Sequence, residues 1–174
     1  TSAQWGGGVN SLYAYISNGA VSTASAMALT WDCSQDAATG AIIQIAQVTG
    51  MSRTGLSAIR QFAVQQNNAA STTPVCTWSV SSLTLNACIA AVAASSSLPG
   101  ISPMTNWTER AETGYATPLA GLEYMTRDSG NVSTTVSTAL PVSSVNCMIA
   151  LELNTSTIDI RMGAICDSEV IRVY

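Results

Sequence analysis

Acidic side chains are scarce in this chain, so the places where they gather carry information. Asp and Glu total 10 in 174 residues, yet Glu109, Glu112 and Glu123 all fall within NWTERAETGYATPLAGLEY, residues 106 to 124. Paired carboxylates are the machinery of glycoside hydrolysis. One acid protonates the leaving oxygen while the other attacks or activates water, at separations of about 5 Å or about 6.5–9.5 Å. Glu109 and Glu112 would share a helix face, but Gly114 and Pro118 argue against a helix, and strand spacing turns the two to opposite faces. A pair between Glu123 and Glu152, on separate expected strands, is the remaining arrangement. Two strand-borne carboxylates among ten acids are more often coincidence than catalysis. Trp107 reads instead as a strand anchor beside a charged loop, with Glu109, Arg110 and Glu112 keeping an edge soluble. No catalytic residue is assigned.

Composition narrows the chemistry further. With six Arg, no Lys and no His, the commonest general base and all Schiff-base, Ser-Lys and P-loop chemistry are missing. The glycines of WGGGVN (5 to 10) lack dinucleotide or P-loop spacing, so no cofactor is expected. Asp32 and Asp36 in DCSQD lack the DxDxDG pattern of a calcium loop and read as turn residues. Cys33, Cys76, Cys88, Cys147 and Cys166 show no CxxC spacing; they are expected as free, mostly buried thiols, with no metal site. A net charge of −4 offers no basic patch for nucleic acid. The longest apolar run, ACIAAVAA (87 to 94), is of strand length, so no membrane span is expected. The opening TSAQWGGG lacks the basic and apolar regions of a signal peptide, which leaves the compartment open. Sequons at Asn106, Asn131 and Asn154 would matter only on a glycosylating route.

The elements that must position these residues are short and β-like. SLYAYIS (11–17), AMALTW (26–31), AIIQIAQV (41–48), IRQFAVQQ (59–66), CTWSV (76–80) and the run from Leu83 to Ala91 alternate or are continuously apolar. So do LAGLEYMTR (119–127), VSTTVST (132–138), VNCMIALEL (145–153), TIDIRM (157–162) and EVIRVY (169–174). Phe62 and Val64 are expected to face inward, as are Cys76, Trp78 and Val80, and Leu83, Leu85, Ala87, Ile89 and Ala91. SSSLPGISP (95–103) is expected as a loop. The fold class is all-β: an antiparallel two-sheet β-sandwich of jelly-roll type. One domain over 11–174, preceded by a flexible Gly-rich arm at 1–10, accounts for the length.

The succession AIIQIAQVTGM, CTWSVSSLTLNACIAAVAASS, NWTERAETG, AGLEYMTRDSGNVSTTVS and VNCMIALEL, over roughly residues 26 to 153, resembles β-sandwich structural proteins of tailed bacteriophage virions. The resemblance implies a non-enzymatic head-decoration, or cement, protein. Its partner would be the major capsid protein or another virion protein, with homo-oligomeric neighbours, on a head surface assembled in the host cytoplasm. It brings no catalytic residues. Low charge (9%) suits a surface covered by neighbours, since little desolvation opposes contact. Trp5, Tyr13, Tyr15, Trp107 and Tyr174 are the candidate interface anchors. Other readings are an extracellular filament or surface-layer subunit joined by strand complementation, a lectin-like carbohydrate-binding module, and a tail or spike component.

Overall fold

The computed structural model describes residues 2–5, 10–14, 42, 44, 48, 58–95, 100–116 and 119–154. Ten strands run through these segments: β1 (Ser2–Trp5), β2 (Asn10–Tyr13), β3 (Ile59–Ser71), β4 (Val75–Thr77), β5 (Ala87–Ala94), β6 (Ser102–Pro103), β7 (Thr108–Ala116), β8 (Leu119–Arg127), β9 (Thr135–Ala139) and β10 (Ser144–Leu153). β1 pairs with β2 as a small antiparallel sheet. A five-stranded sheet has the order β3-β10-β5-β8-β7, and a three-stranded sheet the order β4-β9-β6.

That order follows a jelly roll in three of its four strand pairs. Numbering β3 to β10 as the eight strands of the roll, the first pairs with the last (β3·β10), the second with the seventh (β4·β9) and the third with the sixth (β5·β8). The fourth pair is replaced: β7 joins β8 along its whole length instead of pairing with β6, and so extends the large sheet by one strand. The protein is an all-β, antiparallel sandwich.

The inner strands β10 and β5 of the five-stranded sheet are covered on both faces, which explains why they are so apolar. Every residue of β10 from Asn146 to Leu153 is buried. Met148 and Ala150 face the small sheet in a core shared with Cys76, Trp78, Ala90, Val92, Trp107, Met125 and Val136. Cys147, Ile149, Leu151 and Leu153 face the other way, onto Ala3 and Leu12 of the β1–β2 pair. Period-2 alternation therefore feeds two cores from one strand. Strand pairing in the described part of the N-terminal stretch corrects the expectation of a flexible arm. Ser2–Trp5 is a strand, and Ala3 is closed off beneath it.

Several faces differ from the expected ones, each for a local reason. In β3, Ala63 is the core residue, while Phe62 (59% exposed) and Val64 point outward. Alternation was correct but its phase was not: β3 is an edge strand with only β10 beside it in the described sheet, so bulk on its outer face meets little cover. Val80, Leu83 and Leu85 are also exposed, because β4 stops at Thr77 and β5 starts only at Ala87. Their alternation belongs to a loop. The stretch expected as a charged loop is the edge strand β7, and Ser102–Pro103 within the expected 95–103 loop is β6. Ile42, Gln44 and Val48, the described part of the 41–48 run, lie outside any strand. AMALTW, TIDIRM and EVIRVY lie outside the described residues.

Candidate functional site

Two glutamates, Glu123 on β8 and Glu152 on β10, point into the space between the two sheets and are fully buried. Register fixes their relation. Glu152 pairs with Cys88 and Glu123 with Val92 on the intervening β5. Four residues along the strand and two strand spacings across place their Cα atoms roughly 16 Å apart. Neither glycosidase separation is met, and Glu123 and Glu152 do not form the catalytic pair the sequence left open.

Glu152 is satisfied on every side. One carboxylate oxygen accepts from Arg60 Nη1 at 2.6 Å and Gln61 Nε2 at 2.6 Å. The other accepts from the Leu83 backbone N–H at 2.8 Å and Asn86 Nδ2 at 2.7 Å. Burial alone would raise its pKa, but these four bonds to the charged form outweigh burial and hold it below the usual carboxylate range. Mechanically, Glu152 pins the 79–86 loop to the large sheet, helped by Arg60 to the Ser81 carbonyl and Gln61 to the Val80 carbonyl. That loop is tied in turn to the segment before β9, through Ser82 N–H to Ser133 O and Gly130 N–H to Thr84 O. Val80, Leu83, Leu85 and Val132 stand exposed on these two linked loops. A buried carboxylate paired with the partly exposed Arg60 thus holds up a small apolar surface at one end of the sandwich.

Among the described residues Glu123 has no hydrogen-bond partner at either oxygen. Its cross-strand neighbour is Glu112, in direct register on β7. Glu109 joins them through a β-bulge: Glu109 pairs with Met125 and Ala111 with Tyr124, so Arg110 is the extra residue. The bulge turns Glu109 and Glu112 to the same face as Met125 and Glu123, where an unbroken strand would have separated them. Burial first, then the charges of Glu109 and Glu112, push the Glu123 pKa up to about 8. At neutral pH the carboxyl is therefore protonated. Glu112 is occupied elsewhere, accepting from the Gly100 N–H at 2.9 Å and 3.0 Å and from the Ile101 N–H at 2.9 Å. Neighbouring carboxyls with one protonated suit a retaining glycosidase, but Glu123 exposes no surface, so a sugar ring has no access to it.

The remaining candidates fall as follows. Trp107, expected as an anchor for a partner, is a core residue (6% exposed) and has no face left for docking. Tyr13 is half exposed at the end of β2. Trp5 lies in β1, paired with Asn10. Tyr15 and Tyr174 are outside the described residues. Cys76, Cys88 and Cys147 are free and buried, and burial raises their thiol pKa values to about 12, 11 and 12, which leaves them inert. Among the described residues no group of acidic, Cys or His side chains could hold a metal ion, and no helix is long and apolar enough to cross a membrane. Of the sequons, Asn106 is exposed in the turn before β7, whereas Asn131 is buried with Nδ2 3.7 Å from Cys88 Sγ; a glycan there is incompatible with the fold.

Sequence reasoning singled out Glu123 and Glu152 but not what surrounds them. The Glu152 hub had a legible trace: one acid inside the apolar run VNCMIALEL must find partners, and Arg60 is the lone cation on the strand beside it. No protein-family model, no curated protein and no solved structure matches this chain.

Proposed function

We propose that this chain is a non-enzymatic structural subunit of a virion, a jelly-roll protein that docks on a capsid shell and on its own neighbours as a cement protein does. The observation that carries this reading is the jelly-roll-like strand order combined with four aliphatic side chains exposed together at one end. Val80, Leu83, Leu85 and Val132 are held out on loops that Glu152 fixes in place. Jelly rolls are widely used for capsid and lectin domains, so the fold alone does not choose between them. What favours assembly is the chemistry of the exposed end. Carbohydrate recognition needs convergent polar groups and aromatic platforms, whereas this end offers aliphatic side chains. Such side chains gain by excluding water against a protein partner.

The arrangement is suited to docking because the loops are already ordered. A preorganised apolar cluster loses little conformational entropy on binding, and symmetric repetition over a shell multiplies a modest contact. Electron microscopy of the purified chain with capsid-like shells tests the proposal. Regular occupancy of shell sites, abolished by Leu85→Asp with the fold intact, is the expected result. A chain that stays monomeric and leaves shells bare would overturn it, and strand-like polymers without shells would turn the reading toward a filament subunit.

A further inference from the structure

We propose that the Glu123 carboxyl is a proton-operated latch on the β7 edge of the sandwich. Protonated, it lets β7 close on β8 with Glu112 clamped to the Gly100–Ile101 backbone; ionised, it repels Glu112 and Glu109 and releases that clamp. The latch concerns the chain by itself and holds whatever the chain assembles with.

The geometry carries the inference. Glu123 is closed from solvent and has no partner for either oxygen among the described residues, so none of them is arranged to receive its charge. A carboxyl kept for structure alone would be hydrogen-bonded, as Glu152 is. The groups facing Glu123 are of one sign. From β7 come Glu112, in register, and Glu109, brought round by the bulge; from β5 comes Val92. Arg110, the cation on β7, is turned away and bonds Thr126 Oγ1 and Asp128 instead, and Arg127, four residues on along β8, is held by the Ser129 and Gly130 carbonyls. Ile101 and Trp107, from the chain before β6 and β7, and Met125, on β8 itself, carry no charge. Among the described residues no cation offsets the charge that ionisation would create.

What must yield is also visible. β7 is the last strand of its sheet and pairs with β8 alone among the described strands. It enters through a turn closed by Trp107 N–H to Met104 O at 2.9 Å, with Asn106 at a φ of 67°. Glu112 is the side chain that ties β7 to the chain before β6, through both oxygens. On ionisation the Glu123 proton passes to solvent and two carboxylates face each other across one register step. Separating them means either lifting β7 or swinging Glu112 off the Gly100 and Ile101 amides, and both expose those amides. The burial and charge that hold Glu123 protonated up to about pH 8 set the operating range in mildly alkaline solution.

The test uses the full chain with carbon-13 labelled Glu carboxyls. Their titration is followed by NMR together with amide exchange at Gly100 and Ile101, corrected for intrinsic rates, between about pH 6 and pH 9. The expected result is a Glu123 midpoint near 8 and a fall in protection at both amides of about tenfold or more above it. In Glu123→Gln that fall is absent, and in Glu112→Gln the Glu123 midpoint moves down. A midpoint in the ordinary carboxylate range overturns the latch. So does protection that is constant across the range, or that falls equally in Glu123→Gln. Should Glu123→Gln fail to fold, the wild-type titration and the Glu112→Gln shift still decide the matter.

Discussion

Glu123 and Glu152 are the same residue on the same face of the same sheet, equally shut off from water, and they behave in opposite ways. Glu152 sits where edge strand β3 supplies Arg60 and Gln61 and a loop supplies an amide and Asn86. Glu123 sits beside the other edge strand, β7, which supplies two more carboxylates. Burial sets the stakes for a charged group, and partners decide the sign. One end of the sandwich is consequently rigid and displays apolar side chains, while the other end is under electrostatic tension that a proton relieves.

The largest test of this contrast is pH. Between the unfolded value near 4.5 and about 8, the unfolded state has released the Glu123 proton and the native state still holds it. Native protein then binds more protons than unfolded, so stability falls as pH rises, at about 1.4 kcal/mol per pH unit and roughly 4–5 kcal/mol in all from this group. Glu152 tilts the other way. Its native pKa is lowered, so its contribution is present above the unfolded value and is lost as pH falls through the lowered one. Urea midpoints across the pH range should therefore peak on the mildly acidic side, and Glu123→Gln should flatten the alkaline limb alone. A peak at neutral pH in the wild type would break the contrast.

Next in size is Glu152→Ala. It strips Arg60, Gln61, Asn86 and the Leu83 N–H of their acceptor at once and should cost about 2–4 kcal/mol by urea denaturation. Arg60 is partly exposed and can turn to water, which keeps the loss below that of a sealed ion pair. The same change should loosen the 79–86 loop, visible as faster amide exchange at Leu83. Leu85→Asp, by contrast, should leave stability within about 0.5 kcal/mol while abolishing shell docking, because its side chain lies outside both cores.

How much of this was legible follows from what period two encodes. LAGLEYMTR is β8 to the residue, whereas the run expected from Leu83 to Ala91 is a strand only from Ala87 and continues to Ala94. Alternation says that Phe62 and Ala63 face opposite ways, but not which way the core lies; a bulky residue on an edge strand misleads because size was taken for burial. Leu83 and Leu85 alternate without a strand, held by a hydrogen-bond hub whose members, Arg60, Asn86 and Glu152, are far apart in sequence. The acidic cluster was hidden for a different reason. Glu109 and Glu112 share a face only because Arg110 is squeezed out of the ladder, and a bulge adds one residue without any compositional mark.

The bulge gives the smallest and sharpest prediction. Arg110 makes only exposed contacts, with Thr126 Oγ1 at 2.7 Å and Asp128 at 3.4 Å, so Arg110→Ala should change stability by no more than a few tenths of a kcal/mol. Deleting Arg110 outright is more telling. Glu109 would still oppose Met125, Ala111 would still oppose Tyr124 and Glu112 would still oppose Glu123, now in an unbroken ladder. The deletion variant should fold, keep the elevated Glu123 midpoint near 8 and preserve the Glu112 clamp, as read by the same carboxyl titration. If the midpoint instead drops to the ordinary range, the bulge aims the carboxylates by its twist rather than by its register, and the opposition of the two ends depends on local geometry that strand pairing alone does not set.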